Sequence, residues 1–240
     1  MPQEHYLIPT YSLMWWGGIV FSTIFYLGLG RMGLYYKSKG TEENFRRILF
    51  YIFLFREFAI HLYFIITDEF HMTESLPLHL CGLSYFACLV CLYKPHALLY
   101  EFVLMLGSVG ALMSFLTPEM THGYSPFLLF DYYLNHGLIL FMPMYLFFVL
   151  QIRPRVKSWM YVLIFGNIVL AIVGTINYFI GSNYIYLCEP PKVDNVLITG
   201  KFPYHVIGFE VIGIIFVLSI YHIFRRLRFH LFSNKPKHAA

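Results

Sequence analysis

Long uninterrupted apolar runs dominate this sequence. They cover residues 11–31, 47–66, 76–93, 97–117, 125–150, 159–180 and 204–225. A helix of about 20 apolar residues spans the hydrocarbon core of a bilayer, so each run predicts a transmembrane helix. The connections are short and leave no room for a soluble domain. We therefore expect an all-α fold, with residues 1–240 forming one transmembrane domain built as a bundle of seven helices.

Composition excludes most other classes of protein. Hydrophobic residues make up 58% of the chain and charged residues only 12%. A soluble domain could not hide this much apolar surface, and a disordered chain would not carry it. The apolar runs are too long and continuous for a membrane β-barrel. A nucleic-acid-binding role is not expected, because topology explains the net positive charge.

The basic residues predict the orientation of the bundle. They cluster in the 31–47 connection, the 94–96 turn, the 151–158 connection and the C-terminal tail, whereas the alternate connections hold only Lys192 and Lys201. Cytoplasmic loops are enriched in Lys and Arg. This asymmetry predicts an exterior N-terminus, a cytoplasmic C-terminus and an odd number of spans. No basic stretch precedes the first run, so we expect that run to be retained as an anchor.

The predicted spans contain many ionisable or polar side chains. Such groups are costly in a bilayer and mark functional sites or internal pairs. The candidate site residues among them are Arg56, Glu57, His61, His79, Cys81, Asp131, Asn135, His136 and Glu210. Counted by helical rise, most lie in the outer half of the membrane, whereas Glu101 lies near the cytoplasmic end. An ion-pair role for Arg56 and Glu57, and a packing role for Cys81 or His136, are the simplest alternatives.

Cys81 and His136 are the candidates for covalent chemistry. They lie about 8 Å and 16 Å below the outer ends of their respective spans, within the same half of the membrane. A histidine can generate the nucleophilic thiolate of a neighbouring cysteine. On a regular helix His79 and Cys81 differ by about 200° in direction, so we expect His79 to point elsewhere.

Several motifs resemble a known family. Leu-Pro-Leu-His-Leu-Cys opens span three, and Gly-Ala-Leu-Met-Ser-Phe-Leu-Thr-Pro ends span four. Tyr133, Asn135 and His136 lie in span five, and Asn-Tyr-Ile-Tyr-Leu-Cys-Glu-Pro-Pro follows span six. Over residues 10 to 225 this series resembles the bacterial YwaF-like membrane proteins and the eukaryotic transmembrane protein 164 family.

The resemblance implies lipid chemistry. The eukaryotic branch resembles a phospholipid acyltransferase that acts on lysophospholipids, and its proposed nucleophile and histidine match Cys81 and His136. The architecture is also similar to that of the androgen-induced membrane hydrolases, which use a Thr at the position of Cys81. These likenesses imply a Cys acyl-thioester, a His general base, no cofactor and no metal. The expected partners are phospholipid and lysophospholipid, and the expected location is the bacterial inner membrane.

Four other functions remain open at this point. Water as the acceptor would make the same site a lipid-ester hydrolase. A small-molecule or proton-coupled transporter would need polar groups running from one side to the other. A metal-dependent hydrolase would use His61, His79 and His136, although no span offers His-x-x-x-His spacing. A lipid-binding scaffold would keep Cys81 and His136 apart or away from a cavity.

Overall fold

The computed structural model describes residues 5–191 and 200–227, and this part of the chain is almost wholly helical. The helices are α1 (Leu13–Ser38), α2 (Glu42–Ile66), α3 (Leu80–Tyr93), α4 (Ala97–Phe102), α5 (Ser108–Leu116), α6 (Pro126–Phe148), α7 (Ser158–Ile180) and α8 (Tyr204–Arg226). A π-helical turn, Val103–Gly107, joins α4 to α5, and a 3-10 turn, Tyr184–Tyr186, follows α7. Lys192 and the tail beyond Leu227, both used in predicting orientation, lie outside the described residues.

Each predicted apolar run coincides with helix. Among the described residues, five helices are long and apolar enough to cross a membrane: α1, α2, the continuous rod Ala97–Leu116, α7 and α8. Helix α6 has 23 residues, but Asp131, Asn135 and His136 interrupt its apolar character. Helix α3 has only 14 residues because it begins at Leu80, four residues later than expected. The chain is therefore confirmed as an all-helical protein with several membrane-crossing segments.

Side-chain caps fix where two of these helices begin. The Ser12 hydroxyl accepts a hydrogen bond from the backbone N–H of Trp15 at the start of α1. The Ser125 hydroxyl accepts one from Leu128 N–H at the start of α6, where Pro126 occupies the first helical position. Each cap satisfies a backbone donor that the helix itself leaves unpaired.

Helix α6 lies at the centre of the bundle. It packs against α1, α3 and α5, and most of its side chains are buried. Helices α7 and α8 pack against each other and against the π-helical turn. The outward faces carry exposed apolar side chains, such as Ile24, Phe55, Ile168 and Ile215, as expected for surfaces in contact with lipid.

One end of the bundle, here called the lower end, gathers the basic connections. The Arg46 guanidinium donates hydrogen bonds to the carbonyls of Leu92 and Tyr93 and so caps α3. Arg155 donates from its backbone N–H and from its guanidinium to Glu101, whose side chain is fully buried. The partner of this buried carboxylate, which the sequence did not reveal, is thus the α6–α7 connection.

The opposite end, the upper end, is roofed by short segments. Strand β1 (Tyr6–Leu7) pairs antiparallel with β2 (Glu119–Met120). The Tyr184 hydroxyl donates to the Met72 carbonyl and accepts from Leu76 N–H, so the 3-10 turn is fastened to the segment before α3. These links bring together residues 5–8, 69–79, 117–123 and 184–187 above the bundle interior.

Candidate active site

A cavity of about 500 Å³ opens inside the bundle beneath this roof. All nine candidate residues from the sequence line it: Arg56, Glu57, His61, His79, Cys81, Asp131, Asn135, His136 and Glu210. They come from α2, α3, α6 and α8 and from the segment before α3. The structure thus brings together side chains that are up to 154 positions apart in the chain.

Cys81 lies in the first turn of α3. The helix begins at Leu80 and its N-cap is His79, whose side chain caps no backbone N–H. The backbone N–H groups of Leu80, Cys81 and Gly82 have no hydrogen-bond acceptor among the described residues. Gly82 packs so closely on the Pro77 backbone that a Cβ would lie 2.8 Å from the Pro77 carbonyl. The cysteine therefore sits at a helix N-terminus, where the helix dipole favours negative charge.

The helical argument that separated His79 from Cys81 does not apply to the structure. It assumed a regular helix from residue 76, whereas His79 precedes the helix in an extended conformation. Its Nδ1 accepts a hydrogen bond from Ile185 N–H at 3.3 Å, and its ring lies against those of Tyr184 and Tyr186. The backbone change between positions 79 and 80 lets both side chains line the cavity.

Ser114 is the hydrogen-bond partner of the cysteine. The Cys81 Sγ lies 3.9 Å from the Ser114 Oγ. Ser114 Oγ also donates to the Gly110 carbonyl at 3.1 Å, so it is available to accept from the thiol. The Ser114 carbonyl in turn accepts a 2.7 Å hydrogen bond from the Tyr132 hydroxyl.

His136 is held by the same tyrosine. Its Nδ1 donates to the Tyr132 carbonyl at 2.8 Å, and the two rings lie 4.3 Å apart. An Nδ1–H donor leaves Nε2 as the basic nitrogen of the neutral ring. Within residues 5–191 and 200–227, Nε2 makes no hydrogen bond, and none joins the imidazole to Cys81. Ser114 and Tyr132 connect the thiol to the imidazole.

A charged cluster forms the wall between α2 and α6. The Arg56 guanidinium pairs with both oxygens of Asp131 and donates to Glu57 at 2.7 Å. It also lies 4.8 Å from the centre of the Tyr85 ring. His61 Nδ1 donates to the Glu57 carbonyl and stands 3.6 Å from the Glu57 carboxylate. One guanidinium thus faces two carboxylates, and the two acids and the arginine are nearly buried.

The last two candidates occupy separate parts of the wall. The Asn135 side-chain oxygen is buried and has no partner in the described chain. Glu210 faces Asn167, whose amide nitrogen lies 3.5 Å from the Glu210 carboxylate. The oxygen of Asn135 is therefore free to accept a hydrogen bond from a group in the cavity.

Three roof residues that the sequence did not single out also line the cavity: Glu119, His122 and Tyr186. Glu119 accepts from His5 through one oxygen at 2.5 Å, while its other oxygen is buried without a partner in the described chain. Burial and the nearby Glu119 raise the pKa of Tyr186, so its hydroxyl stays protonated. Ser114 and Tyr186 belong to motifs that carried the family resemblance, which was the one signal available for them.

The described residues contain no group of three or more His, Cys, Asp or Glu side chains arranged to hold a metal ion. All four cysteines are free thiols. The cavity wall brings together a thiol, an imidazole and a buried ion-pair cluster.

Comparison with known proteins gives one result. No curated protein and no solved structure matches the chain. The family model described as the TMEM164 family matches residues 3–221, which include every residue of the cavity wall discussed above. The chain belongs to the TMEM164 family.

Proposed function

We propose that the protein is a membrane-embedded phospholipid acyltransferase that works through an acyl-thioester on Cys81, with His136 as general base. The observation that carries this proposal is the shared cavity, which holds the thiol at a helix N-terminus and a histidine with a free Nε2. Acyl transfer through a covalent intermediate requires at least a nucleophile and a base in one cavity large enough for the lipid.

The first step acylates the cysteine. His136 Nε2 takes the thiol proton as the sulfur attacks the ester carbonyl carbon of a phospholipid. A carbon–sulfur bond forms, the ester carbon–oxygen bond breaks, and the imidazolium returns the proton to the departing alkoxide. The products are an acyl-thioester and a lysophospholipid. Because no hydrogen bond joins Cys81 and His136 in the resting structure, this step requires the two side chains to approach each other or a bridging group.

The second step transfers the acyl chain from Cys81 to the acceptor. The hydroxyl of an acceptor lysophospholipid loses its proton to His136 and attacks the thioester carbonyl, and the imidazolium then reprotonates the sulfur. Water as the acceptor makes the same site a lipid-ester hydrolase. The largely apolar wall of the cavity favours a lipid acceptor over water.

The start of α3 supplies an oxyanion site. Both steps place negative charge on the carbonyl oxygen, and preorganised N–H donors stabilise such charge. The backbone N–H groups of Leu80, Cys81 and Gly82 have no acceptor among the described residues and belong to the same first turn as the sulfur. Removing one oxyanion donor costs roughly 3 kcal/mol in other enzymes.

The proposed topology has seven crossings with the N-terminus outside. The basic residues Arg46, Lys94, Arg155 and Arg225 lie at the lower end, which is then cytoplasmic. Helix α3 and the turns before it form the third crossing, and α6 forms the fifth. The cavity then lies under the outer leaflet headgroups, at the depth of lipid ester bonds. The proposed location is the bacterial inner membrane.

The transporter alternative has less support. A transport path must reach both sides, but the lowest residue of the cavity on the α4–α5 rod is Phe102, which is 2% exposed. Directly below it, Arg155 closes over the buried Glu101. Arg56, Glu57 and Asp131 pair with one another rather than forming a file along a channel.

Mass spectrometry of the intact protein tests the acyltransferase proposal. After incubation with a phospholipid, the wild-type chain should carry an acyl adduct that hydroxylamine removes and that maps to Cys81. Cys81→Ala should carry none, whereas Cys188→Ala, which changes an exposed thiol, should acylate normally. An adduct of unchanged yield in Cys81→Ala contradicts the proposal. Reconstitution with labelled lysophospholipid then separates transfer from hydrolysis, since only transfer labels a diacyl product.

A further inference from the structure

The cavity continues well below Cys81. A methyl group placed on Gly110 would lie 3.7 Å from the Cys81 sulfur, so these two residues share a level in the bundle. The lining continues along the same rod to Phe102, eight residues further down, which corresponds to roughly 12 Å of helix. We call this lower part of the cavity, between Cys81 and Phe102, the arm. Its length approaches the roughly 15 Å thickness of one leaflet's hydrocarbon, which is half of a bilayer core.

The two parts of the cavity differ in polarity. Above Cys81 the wall carries ionisable roof residues, among them His122 and Glu119, one oxygen of which has no partner in the described chain. The lowest polar side chains of the wall are Asn167 and Glu210, which face each other. Leu106 lies level with this pair, because a Cβ on Gly166, next to Asn167, would lie 3.1 Å from it. Below the pair the wall is apolar, formed by Phe102, Leu163 and Phe216. A cavity with a polar upper part and an apolar lower part complements an amphiphile with one chain.

The Leu106 side chain borders the open space of the arm and faces α7 and α8. It is half-buried, whereas Met105 and Gly107 on either side of it are buried, so its side chain borders the open space. A Cβ on Gly166 of α7 would lie 3.1 Å from Leu106, and one on Gly213 of α8 would lie 3.9 Å from it. The leucine therefore extends from the π-helical turn towards the place where two glycines leave room between α7 and α8.

We propose that the arm binds a single unbranched fatty acyl chain and that Leu106, seated against Gly166 and Gly213, limits the length of chain it accepts. This inference rests on the proposed function for the identity of the ligand, but it concerns binding and requires no reactive thiol. Each methylene that enters the arm leaves water or lipid for a packed wall. Full burial from water is worth about fourfold in affinity per methylene, which is the upper limit here.

Binding of a chain-length series tests the arm. The full-length protein carries Cys81→Ala so that no acyl chain is transferred, and native mass spectrometry measures the occupancy of lysophospholipids with hexanoyl, octanoyl, decanoyl and lauroyl chains, which bracket the length of the arm. Leu106→Ala should shift the preferred chain to a longer one. Gly213→Leu fills the arm and should shift it to a shorter one. Controls are Leu112→Ala and Ile215→Ala, which change lipid-facing side chains on α5 and α8.

The ratio of long-chain to short-chain occupancy decides whether the arm selects chain length. A partly unfolded variant binds less of every chain and leaves this ratio unchanged, so loss of folding does not imitate the expected shift. The proposal is supported if the ratio shifts in opposite directions in Leu106→Ala and Gly213→Leu and does not change in either control. An unchanged ratio in both arm variants, or equal shifts in the controls, overturns it. A parallel series of free fatty acids shows whether the chain is bound as an ester or as an acid.

The two proposals fail separately. Absence of any acyl adduct on Cys81 removes the acyltransferase, yet it leaves a length-selective arm in the Cys81→Ala background. A normal adduct on Cys81 together with an unchanged preference for acyl-chain length in both arm variants contradicts the proposal of the arm and leaves the acyltransferase proposal standing.

Discussion

The Cys81 sulfur lies 3.9 Å from the Ser114 hydroxyl oxygen, although the two residues belong to different helices. Helix α3 contributes the thiol and α5 contributes the serine, and Gly110 lets the two helices approach at this level. The serine also touches the tyrosine that orients His136. Ser114 is thus the point at which the surroundings of the thiol meet those of the imidazole.

Ser114→Ala should slow acylation of Cys81 without unfolding the protein. The substitution removes the hydroxyl that faces the sulfur, and a single hydrogen bond of this kind is worth about 1 kcal/mol, or roughly fivefold in rate. The initial rate of acyl-adduct formation measures it. Ser108→Ala is the matched control, since that hydroxyl bonds the Val103 carbonyl on the same rod. A normal rate in Ser114→Ala excludes a positioning role for this serine.

His136→Asn should abolish formation of the acyl-enzyme, because the basic Nε2 is lost while a polar side chain remains. General-base removal typically costs 10²–10⁴-fold in rate, and about a thousandfold is expected here. Added imidazole should restore part of the rate, since the histidine lines the cavity. His222→Asn, which changes an exposed histidine on α8, should acylate as the wild type does. A fully active His136→Asn would assign the base to another residue.

Asp131→Asn should destabilise the protein by about 3 kcal/mol, because it deprives the buried Arg56 of its main partner. Glu57 keeps one hydrogen bond to the guanidinium and sets the loss at the low end of the range for buried pairs. The triple variant Arg56→Met/Glu57→Gln/Asp131→Leu, which removes all three charges together, should recover stability. Denaturant titration in detergent measures both. The exposed pair Arg47–Glu43 gives the comparison, and Glu43→Gln should cost less than about 1 kcal/mol.

Arg155→Met should be equally damaging at the lower end, since it leaves the carboxylate of Glu101 buried with only a backbone N–H as partner. A loss of about 3 kcal/mol is expected. Adding Glu101→Gln removes the uncompensated charge while keeping an oxygen for that N–H, so the double variant should melt near the wild-type temperature. If the single variant is as stable as the double, the connection is not held by this pair.

Acidification should destabilise the roof through His122. Burial, aided by His71 and His5 and opposed by Glu69, lowers the pKa of His122 to about 4, against an ordinary value of 6.5. In the unfolded chain His122 therefore binds a proton below about pH 6.5, whereas in the folded chain it does so only below about pH 4. Stability should fall by about 2 kcal/mol between roughly pH 7.5 and pH 5 from this residue. His122→Gln should show a correspondingly smaller loss in melting experiments at the two pH values.

The helical fold could be predicted from the sequence because hydrophobic length alone determines it. Every apolar run is helical, and the candidate residues share one cavity because polar side chains in a membrane protein turn inwards. The start of α3 could not be predicted in this way. Pro77 is compatible with a first helical turn, but the chain makes a tight turn there, in which the Leu78 N–H donates to the Leu76 carbonyl, and the helix begins only at Leu80.

The pairing of residues that are far apart in the sequence could not be predicted either. Glu101 stood out as an isolated carboxylate in the sequence, and nothing there identified Arg155, which is 54 positions away, as its partner. The partnership of Cys81 with Ser114 likewise depends on how α3 and α5 face each other. Helical periodicity gives the face of each helix but not its rotation against its neighbours.

The π-helical turn at Val103–Gly107 sets that rotation for α5. Regular α-helix advances by about 100° per residue, and a wider turn shifts every later side chain around the axis. The face that α5 presents to the thiol is thus decided several residues earlier, by a local widening of the backbone. Winding the same five residues as regular α-helix would swing Ser114 off the sulfur, whereas deleting one of them would leave it in place, because four α-helical residues advance nearly as far around the axis as five π-helical ones.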